Sequence, residues 1–212
     1  QKKKIQIKIW NLRDFTKDKH KKARPTGWSF GRVDDKPYGG GAGMVLMAEP
    51  ILRAVQKIKP GNKAKVVVMS AKGKQFTQKM AYEWSKRHKN IILISGRYEG
   101  IDERVRKILK AEEISIGPYI TTDGDVAAMV VVSSLTRLIP NVINFSSLED
   151  ESFIQKHIKK EAGTKFGELE YPHFTRPEIL LWKGKKYRVP GVLLSGHPRE
   201  IEKWRDQRRR KK

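Results

Sequence analysis

The sequence predicts an α/β fold built on a parallel sheet, and two patterns carry that expectation. Short apolar, β-branched runs alternate with longer charged segments, the strand-turn-helix rhythm of parallel βαβ units. At the end of three successive runs stand turns of small or hydrogen-bonding residues: Ser70-Ala71-Lys72-Gly73, Gly96-Arg97-Tyr98-Glu99 and Ser115-Ile116-Gly117. Ligands of open α/β sheets bind in the crevice outside the carboxyl ends of the strands. Three turns converging there build a pocket more readily than one does.

Residues 5–10 (Ile5-Gln6-Ile7-Lys8-Ile9-Trp10) alternate apolar and polar, as a half-buried strand does. A basic loop with Gly27 and Gly31 follows. Next comes the glycine-rich loop Pro37-Tyr38-Gly39-Gly40-Gly41-Ala42-Gly43-Met44, then a helix over about 49–57. Pro60-Gly61-Asn62 is a turn. Residues 65–70 read as a strand and 75–87 as a helix, 91–95 as the next strand and 102–110 as the next helix. The short strand 114–116 leads through a long loop to Asp125, and a strongly apolar helix over about 126–138 ends before Pro140. Residues 144–167 turn polar and lysine-rich, which reads as a linker. From Tyr171 a compact tail follows: a proline-bounded segment, a hairpin-like stretch over 182–189 and a basic helix from about Pro198.

Composition narrows the function classes. Lys and Arg number 46 against 23 Asp and Glu, a net charge of +23 over 212 residues. An excess that large predicts a polyanionic partner. No apolar run approaches the ~20 residues of a spanning helix, and no signal-peptide core stands near the N-terminus, so no membrane partner and a cytoplasmic location are expected. With no cysteine, thiolate nucleophiles, disulfides and Cys-based zinc sites are excluded together. The five histidines (His20, His88, His157, His173, His197) show no ligand spacing, and no metal ligand is assigned.

Several constellations stay open on the residues alone. Backbone N–H groups of a loop such as Gly39-Gly40-Gly41 bind anions, and an ordinary surface loop is an equal reading. Tyr38 and Lys36 tilt it toward a nucleic acid or a large ligand. No Gly-Lys-Ser/Thr follows, and a polar Asp34-Asp35-Lys36-Pro37 precedes it rather than a strand, which excludes a Walker loop and a dinucleotide fingerprint. Main-chain groups of Ser115-Ile116-Gly117 through Asp125 could hold a flat heterocycle, or simply connect two elements. A lone arginine such as Arg137, near the end of an apolar helix, more often snorkels or pairs structurally. Glu149-Asp150-Glu151 reads by default as a solvated charge run.

Longer motifs bring a resemblance. They are Asn11-Leu12-Arg13-Asp14-Phe15-Thr16, Asp34-Asp35-Lys36-Pro37-Tyr38-Gly39-Gly40-Gly41-Ala42-Gly43-Met44, Gly96-Arg97-Tyr98-Glu99-Gly100-Ile101-Asp102-Glu103-Arg104 and Ser115-Ile116-Gly117-Pro118-Tyr119. Thr136-Arg137-Leu138-Ile139-Pro140, Tyr171-Pro172-His173-Phe174-Thr175-Arg176-Pro177 and Val192-Leu193-Leu194-Ser195-Gly196-His197 continue the set in order across nearly the whole chain. In these the chain resembles the bacterial tRNA (guanine-N1)-methyltransferases of the TrmD family, within the SPOUT superfamily.

The resemblance implies a parallel-sheet SPOUT domain over 1–145 whose C-terminal part is tied in a deep trefoil knot forming the cofactor pocket. A basic linker over 146–169 and a small, mainly helical tRNA-binding domain over 170–212 would follow. It implies a homodimer with active sites at the subunit interface, S-adenosylmethionine as cofactor with room for magnesium, and tRNA as partner. The reaction would methylate N1 of the guanosine immediately 3′ of the anticodon, position 37. Alternatives are an RNA-binding protein that keeps the fold without the activity, and a SPOUT methyltransferase acting on ribosomal RNA.

By the same resemblance the cofactor falls to Met69, Ser70 and Gly73, to Gly96, Tyr98 and Glu99, and to Ser115, Ile116, Gly117, Tyr119 and Gly124. Substrate contacts fall to Tyr38, Gly39, Gly40, Gly41, Arg137, His173 and Arg176. Arg137 matches the arginine at the guanine and its O6. The general base, in the family an aspartate before Ser-Phe, is here Glu151 by register or Asp150 by a one-residue slip. Other departures are Asp123 where the family shows a first glycine, Ala127 where it shows proline, a longer lysine-rich linker, and an insertion over 22–32. The family's opening strand and helix lie before the equivalent of residue 5.

Overall fold

Four consecutive buried residues, Val66, Val67, Val68 and Met69, mark the strand on which the molecule is built. Successive strand side chains point to opposite faces, so burying all four requires cover on both sides, the condition of a central parallel strand. The structure is a computed structural model that describes residues 5–16, 21–23, 29–58, 64–144, 153 and 168–211. The chain divides into two compact units, Gln1–Val142 and Ile143–Lys212.

The first unit opens with a 3-10 turn, Leu12–Phe15, capped by the Asn11 side chain. Two short antiparallel pairs follow: β1 (Lys21–Ala23) with β2 (Ser29–Gly31), and β3 (Asp34–Asp35) with β4 (Val45–Leu46). Then come α1 (Ala48–Ile58), β5 (Lys65–Gln75), α2 (Gln78–Arg87), β6 (Ile91–Ile94), α3 (Glu103–Leu109), β7 (Glu112–Ser115) and α4 (Gly124–Thr136). β5, β6 and β7 form the three-stranded sheet in the order β6-β5-β7, with β5 parallel to both neighbours.

Alternation along β5 divides the core in two. Val66 and Val68 pack on one face with Ile51 and Val55 of α1, Val105 of α3 and Ile94. Val67 and Met69 pack on the other with Met80 and Trp84 of α2, Ile114, and Ala127 and Val131 of α4. The helices present these residues at spacings of three or four, one stripe each. A fully buried aliphatic side chain such as Ile51 or Ile114 contributes ~1.5–3 kcal/mol. Local signals agree with the packing. Thr77 caps α2 by accepting from Met80 N (3.3 Å), Asp102 caps α3 by accepting from Arg104 N (2.9 Å), and Asp123 caps α4 by accepting from Asp125 N (2.9 Å).

The second unit pairs β8 (Glu168–Leu169) with β11 (Arg210–Lys211). Between them lie the hairpin of β9 (Ile179–Trp182) and β10 (Lys185–Arg188), then α5 (Gly191–Leu194) and α6 (Pro198–Arg208). Lys183 and Gly184 both take positive φ in the two-residue turn, the form that matches the twist of a hairpin.

Several expectations are corrected here. Residues 5–10 are not a strand: Ile7 and Ile9, the residues meant to face inward, are 64% and 94% exposed, and alternation without a covered face does not make a ladder. β5 runs on to Gln75 because Lys74 and Gln75 rejoin β7 opposite Ile114 and Ser115 after residues 70–73 leave the register. The helix expected from 75 starts at Gln78, where the Thr77 cap sets it. The C-terminal unit contains a hairpin as well as helices, so mainly helical gives way to mixed. Pro60-Gly61-Asn62 and nearly all of 144–167 lie outside the described residues.

Candidate active site

Of the three segments expected to hold a ligand, two follow the carboxyl ends of β6 and β7, and one lies within β5, the strand between them. The first is the excursion of residues 70–73 out of the β5–β7 ladder. It leaves from Met69, which is buried, and returns at Lys74. Gly73 lies so close to β7 that a Cβ there would sit 2.5 Å from Glu113 C and Ile114 N. The glycine is required by close approach of two backbones.

The second segment follows β6. Tyr98 adopts φ +60°, and the turn closes with Gly100 N donating to Arg97 O (3.1 Å). Glu99 N donates to Met44 O (3.0 Å), and Leu46 N to Gly100 O (2.9 Å), so the turn is sewn to the end of the glycine-rich loop. The Glu99 side chain occupies the space where a Gly43 Cβ would be. Gly39, Gly40, Gly41 and Gly43 all take positive φ, a conformation open to glycine at little cost. Tyr38 is fully exposed, and nothing lies within 4 Å of a Cβ at Gly39, Gly40 or Gly41.

The third segment follows β7. Buried Ser115 folds it locally, its Oγ donating to Gly117 O (2.9 Å) and accepting from Gly117 N (3.2 Å). Tyr119 OH donates to Ile116 O (3.2 Å), and a Cβ on Gly117 would strike the Tyr119 ring at 2.3 Å. Gly124, at the start of α4, returns the chain to β6: its N donates to Gly96 O (2.8 Å). A Cβ there would lie 2.9 Å from Gly96 N.

The structure joins the second and third segments through Gly96 and Gly124 and sets the first against β7 through Gly73, with Met69, Ser70, Tyr98, Glu99, Ser115, Ile116, Gly117 and Tyr119 along these three segments. It does not bring Arg137 to the same junction. Half-buried at the C-cap of α4, Arg137 stands thirteen residues beyond Gly124, roughly 20 Å along the helix at 1.5 Å per residue. Asp150 and Glu151 lie outside the described residues. Sequence reasoning missed Ser95, Arg97, Asp123 and Asp125, whose side chains link the second and third segments. Pairings such as that of Asp125 with Arg97, 28 residues apart, leave no local signature.

In the C-terminal unit, His173 is exposed, its ring 4.7 Å from Tyr171 and its Nε2 3.4 Å from Glu170 Oε2. The Arg205 and Arg209 guanidiniums lie over the Tyr171 ring at 4.9 and 5.3 Å, and Arg208 over Trp204 at 5.7 Å. Arg176 is exposed ahead of a cis Pro177. Among the described residues no group of three or more His, Asp or Glu is gathered to hold a metal ion, and no helix is long and apolar enough to cross a membrane.

The model of one family, described as tRNA (Guanine-1)-methyltransferase TrmD, matches residues 1–212. This chain belongs to the TrmD family. Among its relatives, the tRNA (guanine-N(1)-)-methyltransferase of Borrelia duttonii (strain Ly) is 44% identical over 201 residues, 95% of this chain and 73% of the relative. The enzyme of the same name from Carboxydothermus hydrogenoformans is 45% identical over 202 residues, covering 95% and 69%. That from Caldicellulosiruptor saccharolyticus is 42% identical over 201 residues, covering 95% and 71%. Membership makes S-adenosylmethionine the methyl donor to test against the three segments. No magnesium site is assigned.

Proposed function

We propose that this chain is a cytoplasmic methyltransferase that transfers a methyl group from S-adenosylmethionine to N1 of guanosine 37 in tRNA. The observation that carries the reading is the excursion of residues 70–73 within β5 beside the turns that follow β6 and β7, in a chain of this family. The residues present suit the donor. Around Ile116 and Gly117 the main chain is folded tightly by its own bonds to Ser115 and Tyr119, a fixed wall against which a flat adenine ring would lie. The exposed Glu99 carboxylate suits a cationic amino or sulfonium group. The bound donor supplies an already activated methyl group.

The chain's own residues then have a defined task. Guanine N1 carries a proton at neutral pH and is a poor nucleophile until that proton leaves. Glu151, or Asp150 one position earlier, would accept it, and the Arg137 guanidinium would stabilise the charge developing on O6. A donor held by the turns around Gly96, Glu99 and Gly117 would supply its sulfonium-bound methyl group to the deprotonated N1. What remains for the protein is orientation.

The reading includes a knotted cofactor segment, a homodimer and a tRNA-gripping C-terminal unit. Supporting the knot, residues 74–75 rejoin β7 while the chain after β7 returns to pack Gly124 on Gly96. Supporting the dimer, Val126, Met129 and Val130 form an exposed apolar stripe on α4, and Arg137 lies a helix length from the donor junction. A site completed by a second copy accounts for both. Supporting the tRNA grip, exposed His173 packs on Tyr171, which also carries Arg205 and Arg209, and Arg176 is exposed; base stacking and phosphate pairing use such groups. The net charge of +23 suits a phosphate backbone. Calorimetry with S-adenosylmethionine tests the site: saturable one-to-one binding per chain is expected, and no binding contradicts it.

A further inference from the structure

Two cofactor segments face each other as paired tripeptides, Ser95-Gly96-Arg97 at the end of β6 and Asp123-Gly124-Asp125 at the start of α4. Ser95 Oγ donates to Asp125 Oδ1 (2.5 Å). Gly124 N donates to Gly96 O (2.8 Å), with no room for a Cβ between the two backbones. Arg97 Nη2 lies 3.7 Å from Asp123 Oδ2 and 3.4 Å from Asp125 Oδ2. Ser95 meets Asp125, Gly96 meets Gly124, and Arg97 reaches both carboxylates, hydrogen-bonded to Asp125 and a little farther from Asp123.

From this seam we infer that Asp123 and Asp125 are positioning residues, which clamp the turn carrying Tyr98 and Glu99 onto the start of α4 and so preform the donor site. The inference rests on the reading that these turns hold the donor. Tyr98 and Glu99 follow Arg97 directly, and Tyr98 already occupies a positive φ that costs free energy unless its surroundings hold it. One end of the turn is held by backbone bonds to Met44 and Leu46, and the seam holds the other. Neither ion pair contributes much by itself, because Arg97 and Asp125 are more than half exposed and such pairs are weak. Their effect lies in orientation: one guanidinium shared by two carboxylates, beside a hydroxyl and a main-chain bond, limits how the turn can rotate. The Asp123 backbone is extended (φ −153°, ψ 171°) and does not require glycine, so the side chain is free to cap α4 and face Arg97 at once.

The test measures donor affinity by calorimetry, and the KM for donor and for tRNA with kcat, in the full chain and in Asp125→Ala, Asp125→Asn and Asp123→Ala. Asp125→Ala is expected to weaken donor binding about tenfold with the tRNA KM within twofold, and Asp123→Ala about threefold. Asp125→Asn, which keeps an acceptor for Ser95, is expected to recover about half of the loss on a logarithmic scale. Amide hydrogen exchange over residues 96–100 in the unliganded protein gives a second readout, independent of activity, and should quicken about tenfold in Asp125→Ala. Donor affinity and exchange unchanged in both alanine variants, beside a wild type that binds, would overturn the clamp alone. A wild type that does not bind the donor overturns the cofactor reading and the clamp with it.

Discussion

Two carboxylates compete for one role at the residue scale, and the chemistry separates them. Removing a general base costs roughly 10²–10⁴-fold in rate. Glu151→Gln is therefore expected to lower kcat by at least about 10²-fold with donor affinity unchanged, while Asp150→Asn lowers it less than about fivefold; the reverse order assigns the base to Asp150. Gly73 poses a steric question instead. A methyl group 2.5 Å from the Glu113–Ile114 backbone cannot be relieved by rotating a side chain, so β5 and β7 must part. Gly73→Ala is expected to destabilise the fold by roughly 1–3 kcal/mol, the range of overpacking, and to weaken donor binding as well. Urea unfolding checks it: an unchanged midpoint would mean the 70–73 excursion adjusts freely.

Elements were legible where a local rule and the packing agreed. β5, β6 and α1 could be read from apolar period alone, and the boundaries of α3 and α4 lie within two residues of expectation because Asp102 and Asp123 cap them. The opening alternation at residues 5–10 misled, since a period of two says which face would be buried and not that anything covers it. β5 was cut short for a different reason: its last two residues pair with β7 only after a four-residue excursion, which is a tertiary event. Asp102 offers a pH test at this scale. The hydrogen bond from the Arg104 side chain, above all, holds its carboxyl below the ordinary aspartate range. Folding therefore favours its charged form. The resulting stability is present above the unfolded value of about 3.9 and is lost as pH falls through the lower folded value. Asparagine caps a helix about as well as aspartate, so Asp102→Asn isolates the charge. Its melting temperature should lie below wild type at pH 7 and converge with it as pH falls through the lower folded value; a constant gap would assign the effect to the cap.

Over the whole molecule, function was legible in ordered motifs more than in composition. A charge of +23 called for a polyanion but could not choose among them, whereas the motifs from Asn11 to His197 pointed to one family, and the family model spans the chain. Sequence could not show the side-chain seam from Ser95–Arg97 to Asp123–Asp125, nor that Arg137 and the donor junction occupy opposite ends of α4. These are relations between distant segments, and the second is what gives a two-copy site its physical motive. The methylated atom separates this reading from every other. The most direct measurement incubates the protein with an unmodified tRNA transcript bearing guanosine 37 and methyl-labelled S-adenosylmethionine, then digests the product to nucleosides. The account predicts about one labelled 1-methylguanosine per tRNA, absent when guanosine 37 is replaced by adenosine. Label in another nucleoside, or none in a protein shown to bind both donor and tRNA, would contradict it.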